Sequence, residues 1–569
     1  MDSTNKAHKW ITSDFLDSDE KEEIDKLIKL NDSSLDEAFY KNLEFGTGGL
    51  RGIMGVGSNR VNRFTIRKAT QGISNYIIKS DVDKQKVAVI AYDTRNYSNK
   101  FALETARVFV ANGIKVYLFS EVTPTPILSF AVRYLEADIG IVITASHNPK
   151  EYNGYKVYDR LGGQITLELA NHYENEINNL DLFKDIKTVS EEQAVSSNLL
   201  YYIDQEVYNA YYCKVIESNK KTVNNSSLSI VYTSIHGSGI RHVKKLFDYR
   251  PYNLSVVDAQ SSFDGDFPTV KYPNPEEKSA LSIAVQMALD ENADIVLGTD
   301  PDADRLGVAV KHENQYHYLT GNEIGVLLLN EIISNKEISN NDYVVKTIVT
   351  SDLGKNIALD KGASVIETLT GFKFIGEKIE ELQKKGHNFL FGYEESHGYL
   401  KDSFVRDKDA LMSSILISDI ASKYKNQNKT LIDILDSIYE QYGYYSNNLS
   451  SIEYSGIDGM DKMNQVIKSI SSKVEIINGL NPYSEIEYVE DYIAGTRLDL
   501  EKGMYYQIEL PKSKVIKFIY KDNSWIVIRS SGTEPKLKLY FQAVSDSKEK
   551  SRILLDSIVN GMIEILENI

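Results

Sequence analysis

The amino-acid sequence predicts an α/β protein made of three related α/β domains, with mixed or parallel sheets, and a C-terminal α+β domain around a central cleft. The chain has 569 residues, which is too many for a single hydrophobic core. Pairs of short apolar segments recur, with helical sequence between them and a polar loop after the second. The last part of the chain instead carries strand-like segments followed by an amphipathic helix.

Composition and charge exclude several classes of function. The chain is 42% hydrophobic and 25% charged, as in ordinary globular proteins. Its net charge of -17 argues against general nucleic-acid binding, but a local basic pocket can still hold an anionic substrate. Cys213 is the only cysteine, so neither an intrachain disulfide nor a cysteine-based zinc site can form. No apolar run is long enough for a membrane span or a signal peptide, and we therefore expect a cytoplasmic protein without a membrane partner.

The first predicted elements are a helix and a glycine-rich loop. Ile24, Leu27 and Ile28 recur at helical spacing and predict a helix over residues 21–30. Residues 46–52 then contain four glycines together with Arg51. Glycine lets backbone amides approach an anion closely, and a guanidinium adds further donors. The loop is a candidate anion-binding loop, and a flexible surface turn is the alternative.

Three pairs of strands predict the three α/β domains. The pairs lie at residues 86–90 and 137–143, at 228–232 and 293–298, and at 343–348 and 388–391. A helix is predicted between the first two strands, over residues 99–111. The second strand of each pair ends in a polar loop, and we expect the three loops to meet in a shared cleft.

The C-terminal part of the chain is predicted to be a small α+β domain. Strand-like segments at residues 504–510, 515–520 and 525–529 precede an amphipathic helix over 548–567. The predicted domains therefore comprise residues 1–215 with the polar loop 144–149, 216–320 with the loop 300–305, 321–445 with the loop 392–398, and 446–569 with the turn at 529–536.

The serine loop at residues 144–149 follows the apolar strand over 137–143. Ligands of open α/β sheets bind at the carboxyl ends of strands, where the hydroxyl of Ser146 can act as a nucleophile or carry a phosphate. His147 is a possible proton acceptor or a loop histidine bonded to backbone. Lys156 lies further along and is a candidate proton shuttle or phosphate clamp.

The aspartate loop is the strongest single signal for a metal. Asp300, Asp302 and Asp304 alternate over five residues, and an extended backbone would point all three carboxylates at one centre. Three like charges held together are costly unless a cation joins them. Carboxylate oxygens suit a hard cation, so Mg²⁺ is the expected ion. A solvated acidic turn is the alternative.

Three further loops carry groups that can bind hydroxyls or phosphate. Glu394 and Ser396 lie in a carboxylate-rich loop, and Lys373 lies in a glycine-hinged loop before it. Carboxylates accept hydrogen bonds from vicinal hydroxyls, although a helix N-terminus also favours acidic residues. Residues 529–536 combine cations, hydroxyls and a glycine, which favours either a phosphate cradle or a hairpin turn. The cradle residues are Arg529, Ser531, Gly532 and Thr533.

Taken together, these loops resemble the α-D-phosphohexomutase superfamily. Within it, the chain is similar to the longer phosphoglucomutase/phosphomannomutase group, which also contains phosphopentomutases. The resemblance covers nearly the whole chain and keeps the order of the motifs. The matching segments are residues 45–52, 144–149, 267–270 with 273–276, 300–305, 370–374, 392–398 and 529–536.

The resemblance implies four domains around a central cleft and a phosphoserine at position 146. Asp300, Asp302 and Asp304, with a phosphoserine oxygen, would bind one Mg²⁺ per subunit. Lys156 and His147 become candidates for acid–base catalysis. The remaining implied contacts are Arg51 near the phosphoserine, Arg305 beside the metal loop, Lys373, Glu394 and Ser396 on the substrate, and Arg529, Ser531, Gly532 and Thr533 on the phosphate that is not reacting.

The implied reaction is the interconversion of glucose 1-phosphate and glucose 6-phosphate. Phosphoserine 146 would phosphorylate the free hydroxyl, the bisphosphate would turn over in the cleft, and Ser146 would take back the other phosphate. Glucose 1,6-bisphosphate is accordingly the expected activator, and the protein is expected to be a monomer or a dimer. A phosphomannomutase or phosphopentomutase, a metal-dependent phosphohydrolase and a silent sugar-phosphate binder are the alternatives.

Overall fold

The computed structural model describes residues 3–30, 32–46, 48–80, 84–220, 227–454, 459–530 and 536–567. The chain divides into two compact units. The first comprises Met1–Ile324, Phe372–Gly392 and Ser396–Thr430. The second comprises Gly325–Gly371, Tyr393–Glu395 and Leu431–Ile569. Among the described residues, no helix combines the length and the apolar character that crossing a lipid bilayer requires.

The first unit begins with three short helices and a mixed six-stranded sheet. The sheet has the order β1-β5-β4-β2-β3-β6. Strand β2 pairs in parallel with β3 and β4, whereas β5 runs antiparallel to β4 and β1. The elements are α1 (Ser3–Ile11), α2 (Ser18–Leu30), α3 (Ser33–Phe39), β1 (Gly49–Ile53), α4 (Arg63–Lys79), β2 (Val87–Tyr92), α5 (Ser98–Ala111), β3 (Lys115–Phe119), α6 (Thr125–Tyr134), β4 (Ile139–Ile143), β5 (Tyr152–Asp159), α7 (Leu167–Asn178), α8 (Glu191–Ser196), β6 (Leu200–Ile203) and α9 (Gln205–Ser218).

A second sheet in the same unit repeats this plan. It has the order β11-β10-β9-β7-β8, in which β7 pairs in parallel with β8 and β9, and β10 runs antiparallel to β9. The elements are β7 (Ser229–Thr233), α10 (Gly239–Phe247), β8 (Asn253–Val256), α11 (Lys278–Glu291), β9 (Ile295–Thr299), β10 (Leu306–His312) and β11 (Gln315–Tyr318). Strands β4 and β9 therefore occupy equivalent places, each parallel to one neighbour and followed by an antiparallel strand.

The third segment alternates strands and helices in the same way. Helix α12 (Gly321–Ser334) precedes β12 (Asp342–Thr347), and β12 pairs in parallel with β13 (Ser364–Thr368). The other elements are α13 (Asp352–Asp360), α14 (Phe372–Lys384), β14 (Asn388–Glu394), β15 (Gly398–Lys401), α15 (Ala410–Lys425) and α16 (Leu431–Tyr442). The predicted α/β segments are thus confirmed.

The second unit ends in a seven-stranded sheet with the order β16-β22-β21-β20-β17-β18-β19. Its strand pairs are antiparallel, and buried side chains of α17 and α19 join the apolar residues of the sheet in one core. The elements are β16 (Tyr444–Glu453), α17 (Gly459–Ile470), α18 (Val474–Asn478), β17 (Ile486–Asp491), β18 (Thr496–Asp499), β19 (Met504–Gln507), β20 (Val515–Tyr520), β21 (Trp525–Ser530), β22 (Lys536–Ser545) and α19 (Lys548–Glu567). This is the predicted α+β domain, with more strands than the sequence indicated.

The glycine-rich loop forms a tight turn that leads into β1. Gly46 and Gly49 exchange backbone hydrogen bonds of 2.8 and 3.1 Å, and β1 then pairs with β5. Gly49 has φ of +122°, and a Cβ there would lie 1.8 Å from the carbonyl oxygen of Tyr155. Only glycine therefore allows β1 to lie this close to β5.

Gly49→Ala is expected to lower the free energy of unfolding by about 3 kcal/mol or more, because both the backbone conformation and the contact with β5 are lost. Urea unfolding followed by circular dichroism measures the change. Gly113→Ala is the matched control, since Gly113 also has positive φ, +76°, but no atom lies within 4 Å of its added Cβ. We expect the control to cost about 1 kcal/mol. Equal losses in the two variants would contradict the steric explanation.

Candidate active site

Ser146 lies in the loop after β4, and its backbone is held in an unusual conformation. Its φ of +49° falls in the left-handed region that residues other than glycine rarely adopt. The Ser146 amide donates to Thr144 Oγ1 at 2.8 Å. Strand β4 is completely buried, as predicted from its continuous apolar sequence. The loop therefore presents its hydroxyl from a rigid strand.

The aspartate loop follows β9, the equivalent strand of the second sheet. The prediction of an extended loop is wrong: Ala303 donates its amide to the Asp300 carbonyl at 2.9 Å, and its φ is +51°. The loop is a turn, and Asp300 Oδ1 holds it by accepting from the amides of Asp304 and Arg305, both at 3.0 Å. The turn brings one oxygen of each of the three aspartates within 4.8 Å of the others.

The two loops meet at a hydrogen bond between their functional groups. Ser146 Oγ donates to Asp300 Oδ2 at 2.7 Å, and His147 Nδ1 lies 3.3 Å from the same hydroxyl. Asp300, Asp302 and Asp304 have only 0%, 0% and 1% of their surface exposed. The structure therefore brings the predicted serine and the predicted carboxylates into one buried cluster.

Two lysines balance the charge of this cluster. Lys156 Nζ lies 2.7 Å from Asp302 Oδ2 and 3.2 Å from Asp304 Oδ2. Lys408, which the sequence analysis did not single out, also lies 3.2 Å from Asp304 Oδ2. Thr125 Oγ1 donates to Asp302 Oδ2 at 2.7 Å. These contacts use the Oδ2 atoms and fix the orientation of both carboxylates.

The Oδ1 atoms of Asp302 and Asp304 have no hydrogen-bond partner among the described residues, although both atoms are buried. A buried carboxylate oxygen without a partner is costly. With Asp300, these residues form a cluster of oxygen donors only, which is the donor set of a hard divalent cation. The residues therefore fit the metal that the sequence predicts.

Burial and charge determine the protonation of the groups around the serine. Burial, with the positive charges of Arg305 and Arg51, holds the pKa of His147 well below its ordinary value. Burial acts to lower the pKa of Lys156, but Asp302 and Asp304 outweigh it and raise that pKa. At neutral pH the imidazole is therefore neutral and the ammonium charged.

The pKa values of Asp300 and Asp304 are shifted in opposite directions. Burial, reinforced by Asp302 and Asp304, raises the pKa of Asp300 well above its ordinary value. Burial has the same tendency at Asp304, but Lys156 and Lys408 outweigh it, so the pKa of Asp304 is lowered. A hydrogen bond from Ser146 favours the ionised form of Asp300 and opposes the effect of burial there.

Arg51 and Arg305 both lower the pKa of His147, the residue after Ser146. Arg51 lies on β1 opposite Gly154, and its Nη1 donates to Asn148 Oδ1 at 3.3 Å. Arg305 follows the aspartates and forms an ion pair with Glu276, a residue of the 273–276 motif. Both guanidinium groups therefore put positive charge near the serine loop, and their roles in binding phosphate stay predictions.

The predicted sugar-binding residues belong to different parts of the fold. Glu394 is at the end of β14, where it accepts from the Gly371 amide at 2.8 Å. Ser396 is half-buried in the following turn, and Lys373 is near the start of α14. Glu394 lies in the second unit, and Ser396 and Lys373 lie in the first.

The predicted phosphate cradle is only partly described. Arg529 lies near the end of β21, between Val515 and Lys538 on the neighbouring strands. Burial raises the pKa of Tyr540, Glu395 adds to this effect, and Arg529 opposes it, so these groups share one electrostatic environment within the second unit. Ser531, Gly532 and Thr533 lie outside the described residues.

Sequence reasoning missed Lys408 and Arg95. Lys408 lies in a run of charged residues, 406–409, directly before the apolar helix α15, and this run was available as a signal. Arg95 follows β2, the parallel neighbour of β4, so the rule that ligands gather at strand ends also applied to it.

The chain matches the domains of one family along most of its length. The phosphoglucomutase/phosphomannomutase alpha/beta/alpha domains I, II and III match residues 42–183, 209–314 and 320–442. The C-terminal domain of the same family matches residues 489–556. The domains occur in the order in which the sheets follow one another along the chain.

Individual relatives and solved structures agree with this match. A phosphoglucomutase of Staphylococcus haemolyticus is 38% identical over 546 residues, which cover 92% of this chain and 97% of the relative. A phosphoglucomutase of Staphylococcus aureus (strain USA300) is 38% identical over 510 residues, 89% of this chain and 90% of the relative. The open form of parafusin, a Paramecium phosphoglucomutase, has a TM-score of 0.71 at 21% identity, covering 93% of this chain and 95% of that one. A phosphoglucomutase/phosphomannomutase family protein of Burkholderia thailandensis has a TM-score of 0.64 at 18% identity, covering 91% of this chain and 96% of that one. Because these two solved structures are only 21% and 18% identical to this chain, they show that it shares their fold and no more.

Proposed function

Because the chain belongs to the phosphoglucomutase/phosphomannomutase family, we propose that it interconverts glucose 1-phosphate and glucose 6-phosphate through a phosphorylated Ser146. The curated relatives support glucose as the sugar, since those at 36–38% identity over most of the chain are phosphoglucomutases. The observation that carries the proposal is the 2.7 Å hydrogen bond from Ser146 Oγ to Asp300, which joins a hydroxyl to a buried carboxylate cluster.

Ser146 is the proposed carrier of the phosphoryl group. Phosphoserine 146 transfers its phosphoryl group to the free hydroxyl of a hexose monophosphate and forms glucose 1,6-bisphosphate. The bisphosphate turns over, and Ser146 Oγ accepts the other phosphoryl group. Phosphoryl transfer needs positioning and stabilisation of charge more than covalent help, and Arg51 and Arg305 supply positive charge next to the serine.

Asp300, Asp302 and Asp304 are the proposed ligands of Mg²⁺, together with an oxygen of the phosphoserine. When bound, the ion supplies charge that stabilises the transferring phosphoryl group. Lys156 and Lys408 hold the Oδ2 atoms of Asp302 and Asp304, and this leaves the Oδ1 atoms for the metal. Lys156 thereby orients the ligands in addition to any direct contact with substrate.

Proton transfer is assigned to His147, with Lys156 as the charged partner. The lowered pKa of His147 keeps its imidazole neutral and able to accept the proton of the attacking sugar hydroxyl. The raised pKa of Lys156 keeps its ammonium as a donor that stabilises anionic oxygens. His147 has the better position for a base, because Nδ1 lies 3.3 Å from the Ser146 hydroxyl.

Sugar hydroxyls and the phosphate that is not reacting are assigned to the remaining predicted residues. Glu394 and Ser396 accept hydrogen bonds from the sugar, Lys373 binds the substrate, and Arg529 binds the phosphate with Ser531, Gly532 and Thr533. A guanidinium can bind a phosphate through two parallel hydrogen bonds, which supports the role of Arg529. Glucose 1,6-bisphosphate is the proposed activator because it rephosphorylates a dephosphorylated Ser146.

A panel of sugar phosphates tests the proposal. The purified protein is incubated with Mg²⁺, a trace of the matching bisphosphate and the 1-phosphates of glucose, mannose, ribose or deoxyribose, and the isomers are quantified by phosphorus NMR. We expect glucose 1-phosphate to give the highest kcat/KM, by about tenfold or more over mannose 1-phosphate. Inorganic phosphate without an isomer would identify a phosphohydrolase. A preference for a pentose would identify a phosphopentomutase.

The domain boundaries after residues 215, 320 and 445, the cytoplasmic location and a monomeric or dimeric state stay predictions from the sequence. Their tests are limited proteolysis with mass spectrometry, fractionation of cells, and light scattering of the purified protein.

A further inference from the structure

Arg95 is a buried arginine that the proposed reaction does not use. Its side chain has 0% of its surface exposed. Its guanidinium donates to the carbonyl oxygens of Ser146 and Asn148, each at 2.5 Å, and to those of Pro149 and Tyr152 at 2.8 and 3.0 Å. All four acceptors belong to the backbone between β4 and the start of β5, so one side chain ties the whole serine loop together.

The position of Arg95 is itself fixed by several contacts. Its Nε lies 3.4 Å from Asp93 Oδ2, and Asp93 Oδ1 accepts from the Arg95 amide at 3.0 Å and from Ser98 Oγ at 2.8 Å. The ring of Phe267 lies 5.0 Å from the guanidinium carbon. Arg95 is thus held by its own loop and by the 267–270 segment.

A second tether reaches the same loop from Asp93. Thr144 Oγ1 donates to Asp93 Oδ2 at 2.6 Å and accepts from the Ser146 amide at 2.8 Å. Arg95 and Asp93 therefore hold Ser146 through its carbonyl and its amide. A left-handed φ at a serine costs about 1 kcal/mol or more and persists only where its surroundings enforce it.

We infer that Arg95 is a positioning residue that keeps Ser146 in its left-handed conformation with Oγ directed at Asp300. The inference rests on the proposed function, because it assigns to Arg95 the alignment of the phosphate carrier with the aspartate cluster. Arg95 acts through the loop backbone. Because the strand pairs of β2 with β3 and β4 involve other atoms, loss of the guanidinium frees the loop before it disturbs the sheet.

The test compares Arg95→Ala and Arg95→Lys with the same substitutions at Arg250. Arg250 is also buried, pairs with Asp419 at 2.8 and 2.9 Å, and donates to the Asn219 carbonyl at 3.2 Å, so it matches Arg95 in burial and in kind of contact. For each variant, kcat and KM for glucose 1-phosphate are measured with and without added guanidinium chloride. Hydrogen exchange of residues 144–152 is measured in parallel.

Arg95→Ala is expected to lower kcat about 10²-fold, since a small displacement of the reacting group is sufficient for such a loss, while KM changes less than about threefold. Added guanidinium is expected to raise the kcat of Arg95→Ala by at least about tenfold. The kcat of Arg95→Lys is expected to lie between those of Arg95→Ala and the unmodified protein, because an ammonium cannot reproduce the planar fork of donors. Exchange in residues 144–152 becomes faster in both Arg95 variants and stays unchanged in the Arg250 variants. If Arg95→Ala does not fold, Arg95→Lys carries the test.

Failure of this inference and failure of the proposed function give different results. Unchanged exchange in residues 144–152, or equal loss of kcat in the Arg95 and Arg250 variants without rescue by guanidinium, would overturn the positioning role. If hydrogen exchange in residues 144–152 became faster in the Arg95 variants but the unmodified protein had no mutase activity, the role of Arg95 in holding the loop would be supported and the proposed function rejected.

Discussion

Replacing Ser146 with alanine is expected to lower the mutase rate by about 10⁴-fold or more, because the substitution removes the atom that carries the phosphoryl group. The residual methyl group fits in the same space, so the aspartate loop and β4 keep their places. The rate is measured in the glucose 1-phosphate assay with excess glucose 1,6-bisphosphate, and intact-protein mass spectrometry reports whether any phosphate is bound. We expect no phosphorylated protein.

Ser74→Ala is the matched control for this substitution. Ser74 is also buried, but its hydroxyl donates to the Thr70 carbonyl within α4 at 2.7 Å. We expect its rate to stay within about twofold of the unmodified protein, because this hydrogen bond lies within α4. A Ser146→Ala protein with an unreduced rate would show that the phosphoryl group travels by another route.

Asp302→Asn is expected to weaken Mg²⁺ binding about 10²-fold and to lower the mutase rate at subsaturating Mg²⁺ at least as much. Its Oδ1 is buried without a partner among the described residues, and its Oδ2 accepts from Lys156 and Thr125. The amide keeps the shape of the side chain and removes the negative charge. Mn²⁺ binding followed by electron paramagnetic resonance measures the affinity directly, without reference to turnover.

Asp294→Asn provides the comparison for the metal site. Asp294 directly precedes β9, at the other end of the strand from the aspartate loop, and pairs with Lys425 at 2.7 Å. Its substitution is expected to leave Mn²⁺ binding unchanged. If Asp302→Asn and Asp294→Asn bound Mn²⁺ as tightly as the unmodified protein, the aspartate cluster would not be the metal site.

The central strands and the two loops that follow them could be predicted from sequence for a common physical reason. Strands β4 and β9 are covered on both faces, so they are continuous apolar runs, and the polar residues after each run mark the strand end. The three aspartates indicated a cation because like charges at short spacing need one. The sequence therefore singled out the serine and the carboxylates, and the structure has a 2.7 Å hydrogen bond between Ser146 and Asp300.

Other features depend on tertiary contacts that no local pattern contains. The aspartate loop was expected to be extended, but hydrogen bonds from the Asp304 and Arg305 amides to Asp300 bend it into a turn. Lys408 reaches Asp304 from a distant segment, and Arg95 reaches the serine loop from the loop after β2. Strand β18 also escaped prediction, since it has only four residues and three of them are polar, whereas β19 lies within the predicted segment 504–510.

The transfer of the phosphoryl group through Ser146 is tested most directly by a chase of the labelled phosphoenzyme. The protein is labelled with radioactive glucose 1,6-bisphosphate, freed of excess label and mixed with unlabelled glucose 1-phosphate. We expect the label to reside on Ser146 before the chase and to move to glucose bisphosphate or glucose 6-phosphate within one turnover. Label on another residue, or release as inorganic phosphate with no labelled sugar, would contradict it.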